Sequence, residues 1–121
     1  MVKHLAVDAE HYWASCIIGG EPLAWLTDNG YDGEGGWHVS DGETAADIFA
    51  FYRCKIAKSN EIIGRTELHE PVRTDAFPGE DLPTVSSVLM HMIDEAACHT
   101  AHLDAARKLI DGRQWSQPKD S

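Results

Sequence analysis

The sequence predicts an all-α protein whose long helices pack as one bundle. Three stretches of the 121-residue chain repeat apolar residues at helical spacing, and no stretch shows the regular alternation of a half-buried strand. The length is that of a single domain, and hydrophobic residues at 43% with charged residues at 25% are ordinary for a globular protein. We therefore expect one helical domain over residues 1–112, followed by a tail over residues 113–121.

The first predicted helix covers residues 2–17. Gly19 and Gly20, followed by Pro22, end it, because glycine closes a helix easily and proline cannot continue one. Its predicted apolar face consists of Val2, Leu5, Ala6, Ala9, Trp13, Cys16 and Ile17.

Residues 19–43 are predicted to form a long loop, rich in glycine and aspartate. Loops of this length in compact domains are usually functional or mobile. Trp25 and Trp37 lie within it and indicate that the loop packs onto the helices. Residues 28–36 are rich in acidic and glycine residues, but they do not match the spacing of a calcium loop, so an acidic turn is the better interpretation.

The second predicted helix covers residues 44–64, with Ser40 or Asp41 as its cap and Gly64 at its end. Residues 65–82 should be irregular because they contain Pro71, Pro78 and Gly79, although a short extended piece is compatible with residues 70–73. The predicted buried stripe of this helix is Ile48, Phe49, Tyr52, Ile56 and Ile63.

The third predicted helix has the clearest signals. It begins at Pro83 or Thr84 and ends at Gly112. At about 100° per residue, one continuous apolar face is predicted. This face consists of Val85, Val88, Met92, Ala96, Leu103, Ala106 and Ile110.

Charge and composition exclude several classes of partner. Twenty acidic residues against ten basic ones give a net charge of −10, which repels nucleic acid, and no long apolar run could span a membrane. The N-terminus does not resemble a secretory signal. Three widely spaced cysteines, two of them on apparent core faces, favour reduced thiols in the cytoplasm over a structural disulfide.

The chemistry-bearing residues of the third helix share one side of it. His91, Glu95, His99 and His102 follow one another at spacings of four, four and three. His99 falls near the middle of the apolar face, where an imidazole needs a partner. A carboxylate and an imidazole four residues apart can bind one cation from a single helix, so Glu95 and His99 are candidate metal ligands.

The third ligand has to come from another element, and His4 is the obvious candidate. On an α-helical wheel His4, Asp8 and His11 share one side of the first helix. His4 lies beside the apolar stripe, so it reaches the core only if Leu5 and Tyr12 mark the edge that faces the third helix, or if a second bundle face exists.

Simpler interpretations remain open at this point. For any one histidine, a hydrogen-bonded or solvated side chain is the better explanation, and His38, His69 and His91 keep it. Asp8 and His11 fit a solvated face better than a second site. Only for Glu95 together with His99 is metal binding as good an explanation as a hydrogen-bonded or solvated side chain. Cys98 points about 100° away from His99, so a catalytic cysteine–histidine pair is improbable.

Two segments resemble the DinB-like proteins. The third helix, VLMHMIDEAACHTAHLDAARKLIDG, is similar to the last helix of the actinobacterial branch, with His91, Glu95, His99, His102 and Gly112 in step. The opening VKHLAVDAEHYW, followed by GGEP, resembles the second helix of that branch and begins next to its key histidine.

The resemblance implies a four-helix, up-down bundle with long crossover loops. It further implies a divalent metal, zinc or nickel, held by His4 with Glu95 and His99 in the manner of the mycothiol-dependent maleylpyruvate isomerases. His102 falls at a position that could supply another ligand or support one. Characterised relatives use the metal to lower the pKa of a thiol cofactor such as mycothiol.

A metal-dependent thiol transferase or isomerase acting on a small molecule is therefore the first hypothesis, with His102 or His11 as the general base. The alternatives are a non-catalytic binding or regulatory module with a vestigial metal site, and a structural domain with ordinary histidines.

The chain departs from the family at Cys98 and Ala101, and most of all at its start. Family members carry a whole helix before the segment where this chain begins. Three helices alone would expose an apolar seam, so we expect a homodimer, with or without exchanged helices, that covers this seam.

Overall fold

The computed structural model describes residues 1–31, 35–72 and 82–113 of the chain. Within these ranges the protein is all-α, as predicted, and an isolated antiparallel bridge joins Pro71, in the segment where an extended piece was possible, to Thr84. The predicted tail lies outside the described residues, apart from Arg113.

Three long helices carry the fold. Helix α1 begins as an α-helical turn at Val2–Leu5 and continues as a π-helix over Ala6–Ile18. It is followed by α2 (Ala24–Asp28), a 3₁₀ turn (Gly35–Trp37), α3 (Ala45–Gly64) and α4 (Val85–Asp111). The region predicted as one long loop thus contains two short helical turns. None of the helices in the described ranges has both the length and the apolar content needed to cross a membrane.

Helix α1 is the central element, and both α3 and α4 pack against it. Its buried positions surround almost the whole helix, unlike the single stripe that was predicted. Trp13 and Ile17 form the core with Val88 of α4. Tyr12, Ile18, Val72, Leu82 and Met92 pack around this core.

Helix α3 begins at a different cap from the predicted one. Thr44 accepts a hydrogen bond from the Asp47 amide and the Asp47 carboxylate accepts one from Thr44, which is a capping box, so neither Ser40 nor Asp41 is the cap. The buried side is also rotated, since Phe49 is 48% exposed whereas Ser59 is buried.

This rotation has a polar cause. Ser59 Oγ donates hydrogen bonds to the carbonyls of Glu10 and Lys55, and Lys55 Nζ donates one to His11 Nδ1. These hydrogen-bonding residues share the α1–α3 contact with Ile62, which is 1% exposed, whereas the apolar stripe predicted Ile63 there.

Helix α4 has the predicted bounds and only half of the predicted buried face. A capping box between Thr84 and Ser87 starts it, and Gly112 at φ +70° ends it. Val85 and Val88 are buried, but Ile110 is 86% exposed because the C-terminal half of α4 extends beyond the described bundle. Four residues of the predicted face are therefore exposed: Ala96, Leu103, Ala106 and Ile110.

The three cysteines form no disulfide in the described part of the chain. Cys16 is buried at the base of α1, whereas Cys54 and Cys98 are exposed. Two buried core thiols were predicted and only Cys16 is buried, so the prediction is wrong for one cysteine.

Candidate functional site

Glu95 and His99 lie one turn apart on α4 with their side chains in contact. His99 Nε2 donates a hydrogen bond of 3.1 Å to Glu95 Oε2, and the two side chains are 12% and 35% exposed. The other carboxylate oxygen of Glu95 lies 3.7 Å from Nε2 of His91, one turn earlier. Glu95 is thus held between two imidazoles on one side of the helix, which is where the spacing predicted them.

His4 reaches this pair from α1. The ring centroids of His4 and His99 are 4.9 Å apart, with an interplanar angle of 73°, and the His4 side chain is 16% exposed. Burial, followed by the neighbouring charge of a protonated His99, lowers the pKa of His4 below its ordinary value. A neutral imidazole is the form in which histidine binds a cation.

The π-helical winding of α1 explains how His4 comes to face α4. Trp13, whose ring lies 4.4 Å from that of His91, and Ile17, which packs in the core with Val88, face the same helix. Nine positions separate His4 from Trp13, which is about 2.5 turns of an α-helix and would place them on opposite sides. Hydrogen bonds that span five residues lengthen each turn and bring them to one side.

The same winding carries His11 away from the site. The sequence predicted that His4, Asp8 and His11 share one side, but His11 is buried on the α3 side, with its ring 3.8 Å from that of Trp25. Burial and the adjacent Lys55 lower the pKa of His11 to about 4. The solvated position expected for His11 is therefore wrong, and the structure does not bring it to Glu95 and His99.

Asp8 does lie beside the histidines. Its Oδ2 is 3.9 Å from His4 Nε2, which is too long for a direct hydrogen bond, and its side chain is 34% exposed. Burial, together with the negative charge of Glu95, raises the pKa of Asp8. Asp8 is therefore a half-buried carboxylate of the site, whereas a solvated one was expected.

Trp37 covers His4 from the loop side. Its ring stacks on the His4 imidazole at 3.7 Å between centroids with an interplanar angle of 13°, and it lies 5.9 Å from the His99 ring. Lys3 holds this loop, because its buried ammonium donates to the His38 carbonyl at 2.8 Å and to Glu43 Oε1 at 2.9 Å. The loop therefore packs down on the helices, as its tryptophans indicated.

A cavity of about 140 Å³ opens beside His4. Asp8 and Trp37 lie in its wall, together with the rings of Tyr12 and Tyr31. The space therefore adjoins the same imidazole that faces Glu95 and His99.

His102 lies at the outer edge of the group. Its ring centroid is 6.1 Å from that of His99, and the residue is exposed. It faces solvent at one end of the site.

The donor set suits a divalent cation. Two imidazoles and one carboxylate are the ligands of many catalytic zinc sites, in which a fourth position stays open. His99 Nδ1 is buried and has no hydrogen-bond partner among the described residues, so this nitrogen has a lone pair or a proton still to be satisfied. Across the described ranges, however, no group of three or more histidine, cysteine or acidic side chains is arranged to hold an ion.

Sequence reasoning missed two contributors to this site. Lys3 is a buried residue that ties the loop to α1, and its partner Glu43 is 40 residues away, a distance over which one sequence carries no pairing signal. His91 was interpreted as an ordinary polar residue, and its i, i+4 spacing to Glu95 was the signal that could have identified it.

Comparison with known proteins agrees with the resemblance seen in the sequence. The family model for mycothiol-S-transferases, a DinB-like family, matches residues 1–112. No curated protein and no solved structure matches the chain. The match spans both helices that carry His4, Glu95 and His99, and the chain therefore belongs to the mycothiol-S-transferase family of DinB-like proteins.

Proposed function

We propose that this protein is a metal-dependent transferase of the low-molecular-weight thiol mycothiol, with His4, Glu95 and His99 as ligands of a divalent cation, zinc or nickel. The observation that carries the proposal is the convergence of these side chains from two helices, with the Glu95 carboxylate and the His99 imidazole in contact. A divalent cation bound there would lower the pKa of a coordinating thiol and so favour the thiolate.

The protein's own residues prepare this site in three ways. Glu95 Oε2 and His99 Nε2 lie 3.1 Å apart, so both atoms can bind one cation, which would replace the proton that they share. Trp37 stacks on His4 and keeps water from one face of its imidazole. The burial that lowers the pKa of His4 keeps its nitrogen lone pair available at neutral pH.

His102 is the better candidate for the general base. It is exposed and adjoins His99, so one of its imidazole nitrogens can accept the proton that the thiol loses. His11 is enclosed between Trp25 and Lys55 on the far side of α1, where a thiol bound near His99 would not contact it.

The test is elemental analysis of the purified protein, with His99→Ala as the informative variant and His69→Ala as its control. His69 is exposed in the segment after α3. We expect about one divalent ion per chain in the wild type and in His69→Ala, and little in His99→Ala. Wild-type protein that retains no divalent ion would refute the proposed metal site.

Turnover then separates the enzyme from its main alternative. With the metal bound, mycothiol should be consumed in the presence of an electrophile, and His102→Gln should slow this reaction by about 10²-fold or more. Stoichiometric metal without any thiol turnover would favour a binding or regulatory module with a vestigial site.

We further propose that the protein acts as a homodimer in the cytoplasm, where its thiols stay reduced. The 27 residues of α4 span about 40 Å at 1.5 Å per residue, well beyond the packed part of α1. One side of α4 carries an exposed stripe that includes the small residues Ala97 and Ala101. Ile93, 60% exposed, precedes them on the same stripe, and a second copy of α4 could pack along it.

A further inference from the structure

We propose that the cavity beside His4 is a binding site for one aromatic ring of a substrate, and that it prefers substrates with a cationic or hydrogen-bond-donating substituent over anionic ones. This inference rests on the proposed function, because it identifies the second substrate as the molecule that receives the thiol. The binding preference itself depends only on the cavity wall.

The cavity has the size and the lining for a single ring. Its volume of about 140 Å³ is close to the roughly 150 Å³ of a protein cavity that binds benzene. Tyr12, Tyr31 and Trp37 contribute three aromatic side chains to its wall, and Leu26 adds an aliphatic one. Aromatic rings prefer offset or edge-to-face contacts with other rings, and such a wall provides both.

The charge of the cavity selects the substituent. Among the described lining residues, Asp8 is the acidic one and none is a lysine or an arginine. An anionic ligand would meet this carboxylate with no basic side chain in the described wall to offset its charge, whereas an ammonium or hydroxyl group could donate a hydrogen bond to it. A cation would also be attracted by the faces of the surrounding rings.

Lys3, a basic residue close to the cavity, does not reverse this preference. Lys3 Nζ lies 5.7 Å from the centre of the Tyr31 ring, outside the wall of the cavity. Its ammonium is already paired with Glu43 at 2.9 Å and bonded to the His38 carbonyl. Little positive charge is therefore left to attract an anion.

The position of Asp8 also defines how the ligand lies. Its carboxylate is 3.9 Å from His4 Nε2, so a substituent bound to Asp8 sits beside the imidazole that faces Glu95 and His99. The ring would then lie against Trp37 and the tyrosines. A substrate bound in this way has its ring in the cavity and this substituent beside the histidines.

The test uses three probes that share one ring and differ in charge: benzylamine, benzyl alcohol and benzoate. Binding is followed by the NMR shift of the Trp37 indole N–H, assigned as the signal that Trp37→Phe removes. In protein from which a chelator has removed any metal, at pH 7, benzylamine should bind about threefold more tightly than benzyl alcohol, as a partly exposed ion pair allows. Benzoate should bind about tenfold more weakly than benzylamine because its charge repels Asp8.

Variants separate the ring from the charge. Asp8→Asn should abolish the preference for benzylamine over benzyl alcohol and leave binding of the alcohol intact, whereas Asp94→Asn, an exposed position on α4, should change neither. His99→Ala should bind the probes normally, since His99 is not in the cavity wall, so a failed metal site does not affect this result. Equal binding of benzoate and benzylamine to the wild type, or no Trp37 shift with any probe at millimolar concentration, would overturn the inference.

Discussion

At the scale of single residues, His11 shows how surroundings decide the protonation of an imidazole. It is 2% exposed, and Lys55 Nζ donates a 3.0 Å hydrogen bond to its Nδ1, so Nδ1 acts as an acceptor. The proton of the neutral ring is then on Nε2, which is buried without a hydrogen-bond partner among the described residues. A second proton would put two positive charges in contact, with Glu21 as the compensating carboxylate.

This enclosure predicts that acid destabilises the protein. Because the pKa of His11 falls from 6.5 to about 4 on folding, the unfolded chain binds a proton more readily between these values. Stability contributed by neutral His11 is full above pH 6.5 and is lost as the pH falls toward 4. The thermal midpoint should therefore decrease over this window, and His11→Gln should make the decrease shallower.

Exposed His69 supplies the control for this prediction. Since His4 also has a lowered pKa, some of the slope should remain when His11 is replaced. The informative quantity is the difference in slope between the wild type and His11→Gln, and His69→Gln should retain the wild-type slope. Identical slopes in all three proteins would show that His11 does not control the acid sensitivity.

At the scale of elements, helix bounds were predictable and helix faces were less so. The start of α4 at Thr84 and its end at Gly112 follow from local capping chemistry, which one sequence contains. The faces depend on how the helix winds. A wheel of 3.6 residues per turn put His11 beside His4, but α1 is wound with longer turns over Ala6–Ile18, a property that the sequence pattern does not reveal.

The cap of α4 gives a prediction at this scale. Thr84→Ala removes the hydroxyl that accepts from the Ser87 amide, and Thr84→Ser keeps a hydroxyl there. Alanine should lower the free energy of unfolding by about 1 kcal/mol, as loss of a helix cap usually does, because Val85 and Val88 next to the cap are core residues. Urea denaturation of both variants measures this, and equal losses in the two would argue against the cap.

At the scale of the whole molecule, the bundle leaves one end of α4 without a neighbour in the described structure. The predicted apolar face of α4 is buried at Val88 and exposed at Ile110. Periodicity identifies residues suited to a contact, but it cannot say whether the same chain supplies the partner.

The site was also predictable only in part. Spacing identified Glu95 with His99, whereas the positions of Trp37 and Lys3 depend on the path of the loop.

Self-association can be tested with two substitutions to glutamate, one of an isoleucine and one of a leucine, whose side chains are almost equally exposed. Ile93 on α4 is 60% exposed and Leu68 in the segment after α3 is 61% exposed. Light scattering should give twice the chain mass of 13.4 kDa for the wild type and for Leu68→Glu, and 13.4 kDa for Ile93→Glu. A charge at the interface would be desolvated on association, which opposes it. A wild-type protein of 13.4 kDa at micromolar concentration would refute the dimer.

Because of the winding of α1, the geometry of the site depends on the number of positions between His4 and Trp13. His4 and Trp13 both contact α4 although nine positions separate them. In a helix with ordinary turns, two side chains on one side stand about seven positions apart. Homologues in which this interval is two positions shorter should therefore have an ordinary α-helix there. A single inserted or deleted residue should move His4 away from Glu95 and His99 even when every neighbouring side chain is unchanged.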